Sequence, residues 1–323
     1  MPEITDAPPA DIAADLAALT ARLDTDIPAK RAGQVLIATW NIRMFGDLTR
    51  KWHSADGDTP RRDLHAALCI AEVLSRFDVI AIQELKGNIR AFRDILKKLG
   101  PDWSFVMTDE TQGGPGNGER LAFLFNMNRA KLSGLAAELV VPDDIKSPYA
   151  TPANAFQRQF VRTPYAVSFQ SGGKTFVMVT LHVIFGKKGS DRQQELTAIA
   201  SWLRKWAEQL DDYGQNLICL GDFNIDRAGD PQFEAFTATG LAPAPDHQGL
   251  PRTIFDAQGK ADTNNFFDQI AWFRTVKNKP YLTLDYKTGG NFDFRGLIMA
   301  GLTMQQLSFR ISDHMPLWAE FEV

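Results

Sequence analysis

Two apolar segments of this chain end in side chains that can bind a metal ion or transfer a proton. The segment LICLGDFN runs from strand-like residues to Asp222 and Asn224, and FRISDHMPLWAEF places Asp313 and His314 between two apolar stretches. A charged side chain inside a protein core is costly unless it is paired or bound to a metal. Strand ends in layered α/β proteins are common places for ligand sites. We therefore expect these two segments to form halves of one active site.

The same arrangement recurs along the chain. Polar side chains at the ends of apolar strands form the set Asn41, Glu84, His182, Asp222, Asn224, Asp268, Asp313 and His314. Carboxylate and amide oxygens suit Mg²⁺, Mn²⁺ or Ca²⁺, and the sequence has no Cys/His cluster typical of structural zinc. Histidines beside carboxylates suit proton transfer near neutral pH. This combination predicts metal-assisted hydrolysis, most naturally of a phosphate ester.

Strand-like and helix-like segments alternate from Val35 onward. The segments VLIATWNI, VIAIQEL, RLAFLFN, NLICLGDFN and DQIAWF predict strands, and YAVSFQSGGKTFVMVTLHV predicts a hairpin. One helix is expected to begin with Thr59 as its cap, and a second to run from Asn88 to Gly100. Hairpins mixed with helices predict an α/β domain of two stacked sheets covered by helices over residues 34–323. Residues 1–33 are expected to form an N-terminal extension, either a short packing helix or a mobile arm.

The composition is ordinary for a globular protein: 323 residues, 44% hydrophobic, with a net charge of -4. The apolar runs are far shorter than the ~20 residues of a membrane span, so no membrane association is expected. The first residues lack the basic and apolar parts of a signal peptide, which predicts a cytoplasmic protein. Cys69 and Cys219 lie in apolar segments and are expected to be buried free thiols. No obligate protein partner is indicated, and the acidic balance argues mildly against tight nonspecific DNA binding.

Seven segments in a fixed order resemble the endonuclease/exonuclease/phosphatase superfamily, and within it the deoxyribonuclease I-like members. These segments are LIATWNIRMFGD, DVIAIQELKGN, FVRTPYAVSF, VTLHV, LGDFN, FFDQIAWF and ISDHMPLWAEF. The resemblance covers roughly residues 34–323. It implies a four-layer α/β/β/α sandwich, two packed mixed β-sheets flanked by helices, and hydrolysis of a phosphodiester by water with Mg²⁺ as the cofactor, Mn²⁺ or Ca²⁺ being alternatives.

The resemblance also implies a role for each site residue. Glu84 would be the main metal ligand, with Asn41 and Asp313 nearby. His182 and His314 would act as general acid and base, with Glu119 and Asp268 as their respective carboxylate partners. Asp222 and Asn224 would bind or orient the phosphate and the attacking water. The cations expected at the substrate are Arg162 and Arg43 at its phosphate and Lys86 at a nucleic-acid groove.

The chain departs from these relatives in one loop, where Asn117 stands about where a tyrosine is expected. Our interpretation is a divalent-metal-dependent endonuclease whose probable substrate is DNA. The alternative is a phosphatase or phosphodiesterase of the same superfamily that acts on a small phosphoester, a nucleotide or a lipid headgroup. A non-catalytic binding module would have lost a metal ligand or a histidine, and all the main positions are kept here.

Simpler structural roles compete for several residues. An Asp after a Gly at a strand end is usually a turn or cap residue, so Asp222 alone would carry little weight. His182 alone could equally be a core histidine. We expect His53, His65 and His247 to be surface or helix residues without a catalytic role. For Arg61, Arg62 and Arg90 the competing simple role is a solvated surface position.

Overall fold

The computed structural model describes residues 1–111, 118–140, 160–186, 189–209, 216–255 and 265–323. Six α-helices lie in this part of the chain: α1 (Ala10–Asp26), α2 (Leu64–Leu74), α3 (Arg90–Leu99), α4 (Gly189–Gln209), α5 (Pro231–Thr237) and α6 (Met304–Arg310). None of the helices in the described residues is both long enough and apolar enough to cross a lipid bilayer.

The first sheet has six strands, whose spatial order is β13, β14, β1, β2, β4, β3. Their bounds are β1 (Gln34–Phe45), β2 (Val79–Lys86), β3 (Trp103–Met107), β4 (Glu119–Asn126), β13 (Asp285–Asn291) and β14 (Leu317–Glu322). The central pair, β1 and β2, is parallel, and its neighbours β14 and β4 run antiparallel to it. Most residues of β1 and β2 are buried, which explains their long apolar runs.

The second sheet repeats this plan, with the spatial order β5, β6, β7, β8, β10, β9. Its strands are β5 (Lys131–Glu138), β6 (Tyr165–Ser171), β7 (Lys174–His182), β8 (Leu217–Asp222), β9 (Leu241–Pro243) and β10 (Asp268–Phe273). Here β7 and β8 form the parallel pair. Two short strands, β11 (Thr275–Val276) and β12 (Lys279–Pro280), form a separate hairpin.

Three apolar clusters hold these layers together. The middle cluster joins the facing sides of the two sheets, with Ile37 and Phe123 from the first and Met178 and Ile270 from the second. One outer cluster packs α1, α2 and α3 against the first sheet, and the other packs α4 and α5 against the second. The predicted four-layer sandwich is therefore confirmed. Cys69 and Cys219 are buried free thiols, as predicted.

The N-terminal extension is a packing helix over most of its length. Ile12, Leu19 and Leu23 of α1 are fully buried in the outer cluster of the first sheet. Two histidine–carboxylate contacts lie on the polar side of α1, His53 Nε2 to Asp11 Oδ2 at 2.9 Å and His65 Nε2 to Asp15 Oδ2 at 3.3 Å. The division between extension and catalytic domain at residue 34 stays a prediction.

Three local predictions were wrong. Helix α2 begins at Leu64 rather than near Thr59, because the Asp63 carboxylate accepts a hydrogen bond from Ala66 N at 3.0 Å and caps the helix there. Arg62 is 2% exposed and therefore not solvated. His247 is fully buried in a short 3₁₀ turn (Pro245–His247), where its ring bonds to the backbone of β14.

Candidate active site

Strand register brings the predicted residues to one end of both sheets. His182 and Asp222 are register partners at the carboxyl ends of β7 and β8. Asp268, at the start of the antiparallel β10, lies opposite Asp222. Asn41 and Glu84 occupy the same end of β1 and β2, because β1 and β2 are parallel and Asn41 pairs with Gln83.

Unusual backbone conformations fix this end of the sheets. Glu84 and Asn224 have φ of 61° and 50°, in the left-handed region that non-glycine residues rarely adopt. Gly221 has φ of 140°, and a Cβ atom there would lie 2.1 Å from the Leu181 carbonyl oxygen. Only glycine therefore lets β8 approach β7 closely enough to bring Asp222 beside His182.

The first histidine lies against a buried carboxylate. His182 Nδ1 is 3.0 Å from Glu119 Oε2, and Arg162 Nε is 2.7 Å from the same oxygen. Lys86 Nζ also donates to Glu119 Oε1, at 3.3 Å. Burial alone would raise the pKa of Glu119, but the hydrogen bond and charge of His182 and the charge of Arg162 outweigh it and lower the pKa to about 2. Glu119 is thus an ionised partner that orients the His182 ring.

The second histidine has an equivalent partner. His314 Nδ1 is 2.7 Å from Asp268 Oδ2, and both side chains are buried. Burial opposes a charged imidazole, but the nearby charges of Asp268 and Asp222 outweigh it and raise the pKa of His314 well above its ordinary value. Burial also raises the pKa of Asp268, so the pair as a whole retains a proton.

Asp222 lies between the two histidines. Its Oδ2 atom is 3.6 Å from His182 Nε2 and 3.8 Å from His314 Nε2. The same oxygen accepts a hydrogen bond from Asn41 Nδ2 at 3.0 Å, and Asp222 Oδ1 accepts one from Asn224 N at 3.0 Å. Burial would raise the pKa of Asp222, yet the positive charge of the two imidazoles lowers it. The free nitrogens of both rings therefore face one small anionic centre.

Glu84 and Asn41 form the predicted metal end of this centre. Asn41 Nδ2 donates to Glu84 Oε1 at 3.2 Å, and the backbone N of Met44 donates to Glu84 Oε2 at 2.9 Å. Asn41 Oδ1 is buried and accepts no hydrogen bond within the described part of the chain. An orphaned amide oxygen beside a carboxylate fits a hard divalent cation.

One group of His and acidic residues is spaced closely enough to hold an ion, within the described ranges. It comprises Glu84, Glu119 and His182, whose ligand atoms lie within 4.8 Å of one another. Glu119 and His182 already bond to each other, and Glu119 is also held by Arg162. Glu84 therefore remains the member best placed to bind an ion.

The remaining predicted residues lie around this centre. Asp313 is partly exposed and pairs with Arg43, with 3.3 Å between Oδ2 and Nη1. Asn224 donates from its side-chain Nδ2 to the Val183 carbonyl at 2.7 Å. Its side-chain Oδ1 therefore points away from Val183. Asn117, where the tyrosine was expected, lies outside the described residues.

Known proteins match this chain along most of its length. A sequence profile of the endonuclease/exonuclease/phosphatase family matches residues 38–286. The chain belongs to this family. The resemblance inferred from the seven segments is therefore confirmed, and family members hydrolyse phosphoester bonds and generally use a divalent metal.

Individual relatives place the chain within the family. It is 25% identical to Deoxyribonuclease-1 of Oryctolagus cuniculus over 311 residues, 93% of this chain and 96% of that protein. It is 26% identical to a Deoxyribonuclease of a Thioalkalivibrio strain over 62% of this chain, and that alignment spans about half (48%) of the relative. The structure of D. rerio TDP2 complexed with single strand DNA product has the same fold, with a TM-score of 0.57 and 18% identity over 90% of this chain and 99% of the other.

Three residues that the sequence analysis missed hold the candidate site in place. Ser312 Oγ donates to the Asn41 carbonyl at 2.6 Å and accepts from His314 N at 3.0 Å, so it ties the SDH segment to β1. Trp40 Nε1 donates to the His314 carbonyl at 2.8 Å. Arg62 donates to the carbonyls of Arg43 and Ile311, at 2.7 and 3.0 Å. Ser312 could have been noticed as the neighbour of Asp313, whereas nothing in the sequence distinguishes Arg62 from the adjacent Arg61.

Proposed function

We propose that this protein is a divalent-metal-dependent phosphodiesterase that cleaves DNA as an endonuclease. One observation carries the proposal: two imidazoles, each backed by a buried carboxylate, point their Nε2 atoms to within 3.6 and 3.8 Å of the same Asp222 oxygen. Such an arrangement suits general acid–base catalysis, in which one imidazole takes a proton from the attacking water and the other, already protonated, gives its own proton to the leaving oxygen.

Each residue of the candidate site has a separate role in the proposed reaction. Glu119 and Asp268 hold the His182 and His314 rings through Nδ1, which leaves each Nε2 for proton transfer. Asp222, with Asn224, positions the attacking water. Glu84, Asn41 and Asp313 would hold the cation, which supplies positive charge to the phosphoryl oxygens when bound. Arg43 and Arg162 add further positive charge near the phosphate.

The relatives support nucleic acid as the substrate. The two curated relatives are both named deoxyribonucleases, and the rabbit protein aligns over nearly its whole length. D. rerio TDP2 was solved with a single strand DNA product.

The proposal is tested by incubating purified protein with supercoiled plasmid and Mg²⁺, Mn²⁺ or EDTA. Glu84→Gln, His182→Ala and His314→Ala should each lower the nicking rate by at least about 100-fold, since each removes a metal ligand or a proton-transfer group. His53→Ala, at a half-exposed histidine (55%) bound to α1, is the matched control and should nick like the wild type. A rate that is unaffected by EDTA or by all three site variants would contradict the mechanism.

The alternative substrate is a small phosphoester, and one observation favours it. Arg162 and Lys86, which the resemblance assigns to phosphate and groove contacts, are both ion-paired to Glu119. Cations that are already paired with a carboxylate contribute less to the binding of a long polyanion such as DNA. DNA cleavage should show a KM that rises steeply with salt because contacts to several phosphates release counterions, whereas a small phosphoester should show little salt dependence.

A further inference from the structure

A line of aromatic rings leads from the candidate active site to the surface. The ring centroid of Phe267 lies 6.0 Å from that of His314, and the ring of Phe185 lies 6.5 Å from Phe267 in an edge-to-face contact. Phe185 is nevertheless 59% exposed. Single exposed apolar side chains are common, but this one continues an aromatic row that begins at a proposed proton-transfer residue.

The backbone that carries Phe185 is held firmly. The Val183 carbonyl accepts a hydrogen bond from Asn224 Nδ2 at 2.7 Å, and Val183 N donates to the Asp222 carbonyl at 2.9 Å. Ile184 N donates to Glu195 Oε2 at 3.2 Å. The backbone just before Phe185 is therefore held in part by Asp222 and Asn224 of the candidate site.

A buried arginine packs against the exposed ring of Phe185. The Arg192 guanidinium carbon lies 4.8 Å from the Phe185 ring centroid, and Arg192 Nη2 is 2.6 Å from Asp226 Oδ2. Arg192 is 7% exposed, and its Nε and Nη1 atoms have no hydrogen-bond acceptor among the described residues. Buried donors of a charged group are costly to leave unpaired, so an acceptor brought by a ligand would satisfy them.

We propose that Phe185, Phe267 and Arg192 form a subsite that stacks one unpaired nucleobase beside the scissile phosphate. This inference rests on the proposed phosphodiesterase function and narrows its substrate to single-stranded nucleic acid. The exposed Phe185 ring offers a stacking surface to the flat face of any base, and the unpaired donors of Arg192 beside it can bond to an acceptor on that base. In a duplex, neighbouring base pairs already cover those faces, so a base must be unpaired to reach Phe185.

The test compares metal-dependent hydrolysis of three substrates: a single-stranded oligonucleotide, the same strand in duplex, and the same strand with abasic tetrahydrofuran residues. The wild type should have a higher kcat/KM on the base-containing single strand than on either of the others. Phe185→Ala should reduce the preference for base-containing over abasic strand about tenfold, equivalent to about 1.4 kcal/mol and within the range of one base stacked on an aromatic side chain. Phe185→Trp should retain the preference.

Leu132→Ala, at another exposed apolar residue (46%) on β5, is the matched control and should keep the wild-type preference. Heat unfolding of all variants checks that the exposed Phe185 can be replaced without loss of the fold. If Phe185→Ala discriminates as the wild type does, or if the duplex is the better wild-type substrate, the subsite is wrong and the phosphodiesterase stands. If folded wild-type protein hydrolyses none of the three with any metal, both proposals fail.

Discussion

Asp222 is the residue on which the two histidines of the site converge. Its Oδ2 atom is near both Nε2 atoms, and its negative charge is supported by hydrogen bonds from Asn41 and Asn224. In Asp222→Asn this charge is lost while the size is kept, so kcat should fall at least about 100-fold because neither water nor imidazole is held correctly. Steady-state kinetics on a DNA substrate measure this effect.

The control for the charge change is Asp285→Asn. Asp285 is 71% exposed and pairs with Lys287 on the edge strand β13. It should leave kcat unchanged, and heat unfolding should show Asp222→Asn still folded. An Asp222→Asn enzyme with near wild-type kcat would mean that another residue positions the water.

The positions of His182, Asp222 and Asp268 could be predicted from the sequence because each lies at the end of an apolar strand. His182 and Asp222 are register partners, and Asp268 lies opposite Asp222, so the strand ends alone imply their proximity. Contacts made by loops could not be inferred in this way. Arg162 reaches Glu119 from a segment outside the strands, and its ion pair depends on how that segment folds back.

At the scale of the elements, Arg62 joins the ends of β1 and α6. Its buried guanidinium donates to the carbonyls of Arg43 and Met44 at 2.7 and 3.2 Å, and to those of Arg310 and Ile311 at 2.9 and 3.0 Å. The Arg43 and Met44 carbonyls lie next to Met44 N, which donates to Glu84. The Arg310 and Ile311 carbonyls directly precede the segment that contains Asp313 and His314. Burial lowers the pKa of Arg62 to about 10, so it stays charged at neutral pH.

We therefore expect Arg62 to position the metal ligands. A lysine ammonium cannot reach four carbonyls, so Arg62→Lys should raise the Mg²⁺ concentration needed for half-maximal activity roughly tenfold, as other supporting residues of metal sites do. KM for DNA should change less. Arg90→Lys, at a 58% exposed arginine, is the control. A loss of thermal stability with an unchanged Mg²⁺ requirement would show that Arg62 has only a structural role.

The elements themselves were predicted where burial is two-sided. β1, β2, β7 and β8 each contain an apolar run that is covered on both faces, and their sequences therefore indicated strands. β5 and β13 were missed, since much of β5 is exposed and β13 contains the sequence KTGGN. The neighbouring strands determine the pairing of β5 and β13, so no local sequence pattern predicts it.

At the scale of the whole molecule, buried His247 predicts how stability responds to acid. Burial lowers its pKa from 6.5 to about 4, and its ring Nε2 lies 2.9 Å from the Trp318 carbonyl. As the pH falls from 6.5 to about 4, the unfolded chain gains a proton at this position and the folded chain does not. The free energy of unfolding should therefore fall by up to roughly 3 kcal/mol over that window. Above pH 6.5 His247 is neutral in both states, so this loss of stability should be absent.

His247→Gln removes this titration and can keep a side-chain donor toward Trp318. The variant should be less stable than the wild type near pH 7, because the imidazole packing is lost, yet its stability should fall less steeply between pH 6.5 and 4. Urea unfolding of both proteins at several pH values gives the two slopes, and the carboxylates common to both cancel in their difference. Equal slopes would mean that His247 takes up its proton in the folded protein as readily as in the unfolded chain, and the prediction would be wrong.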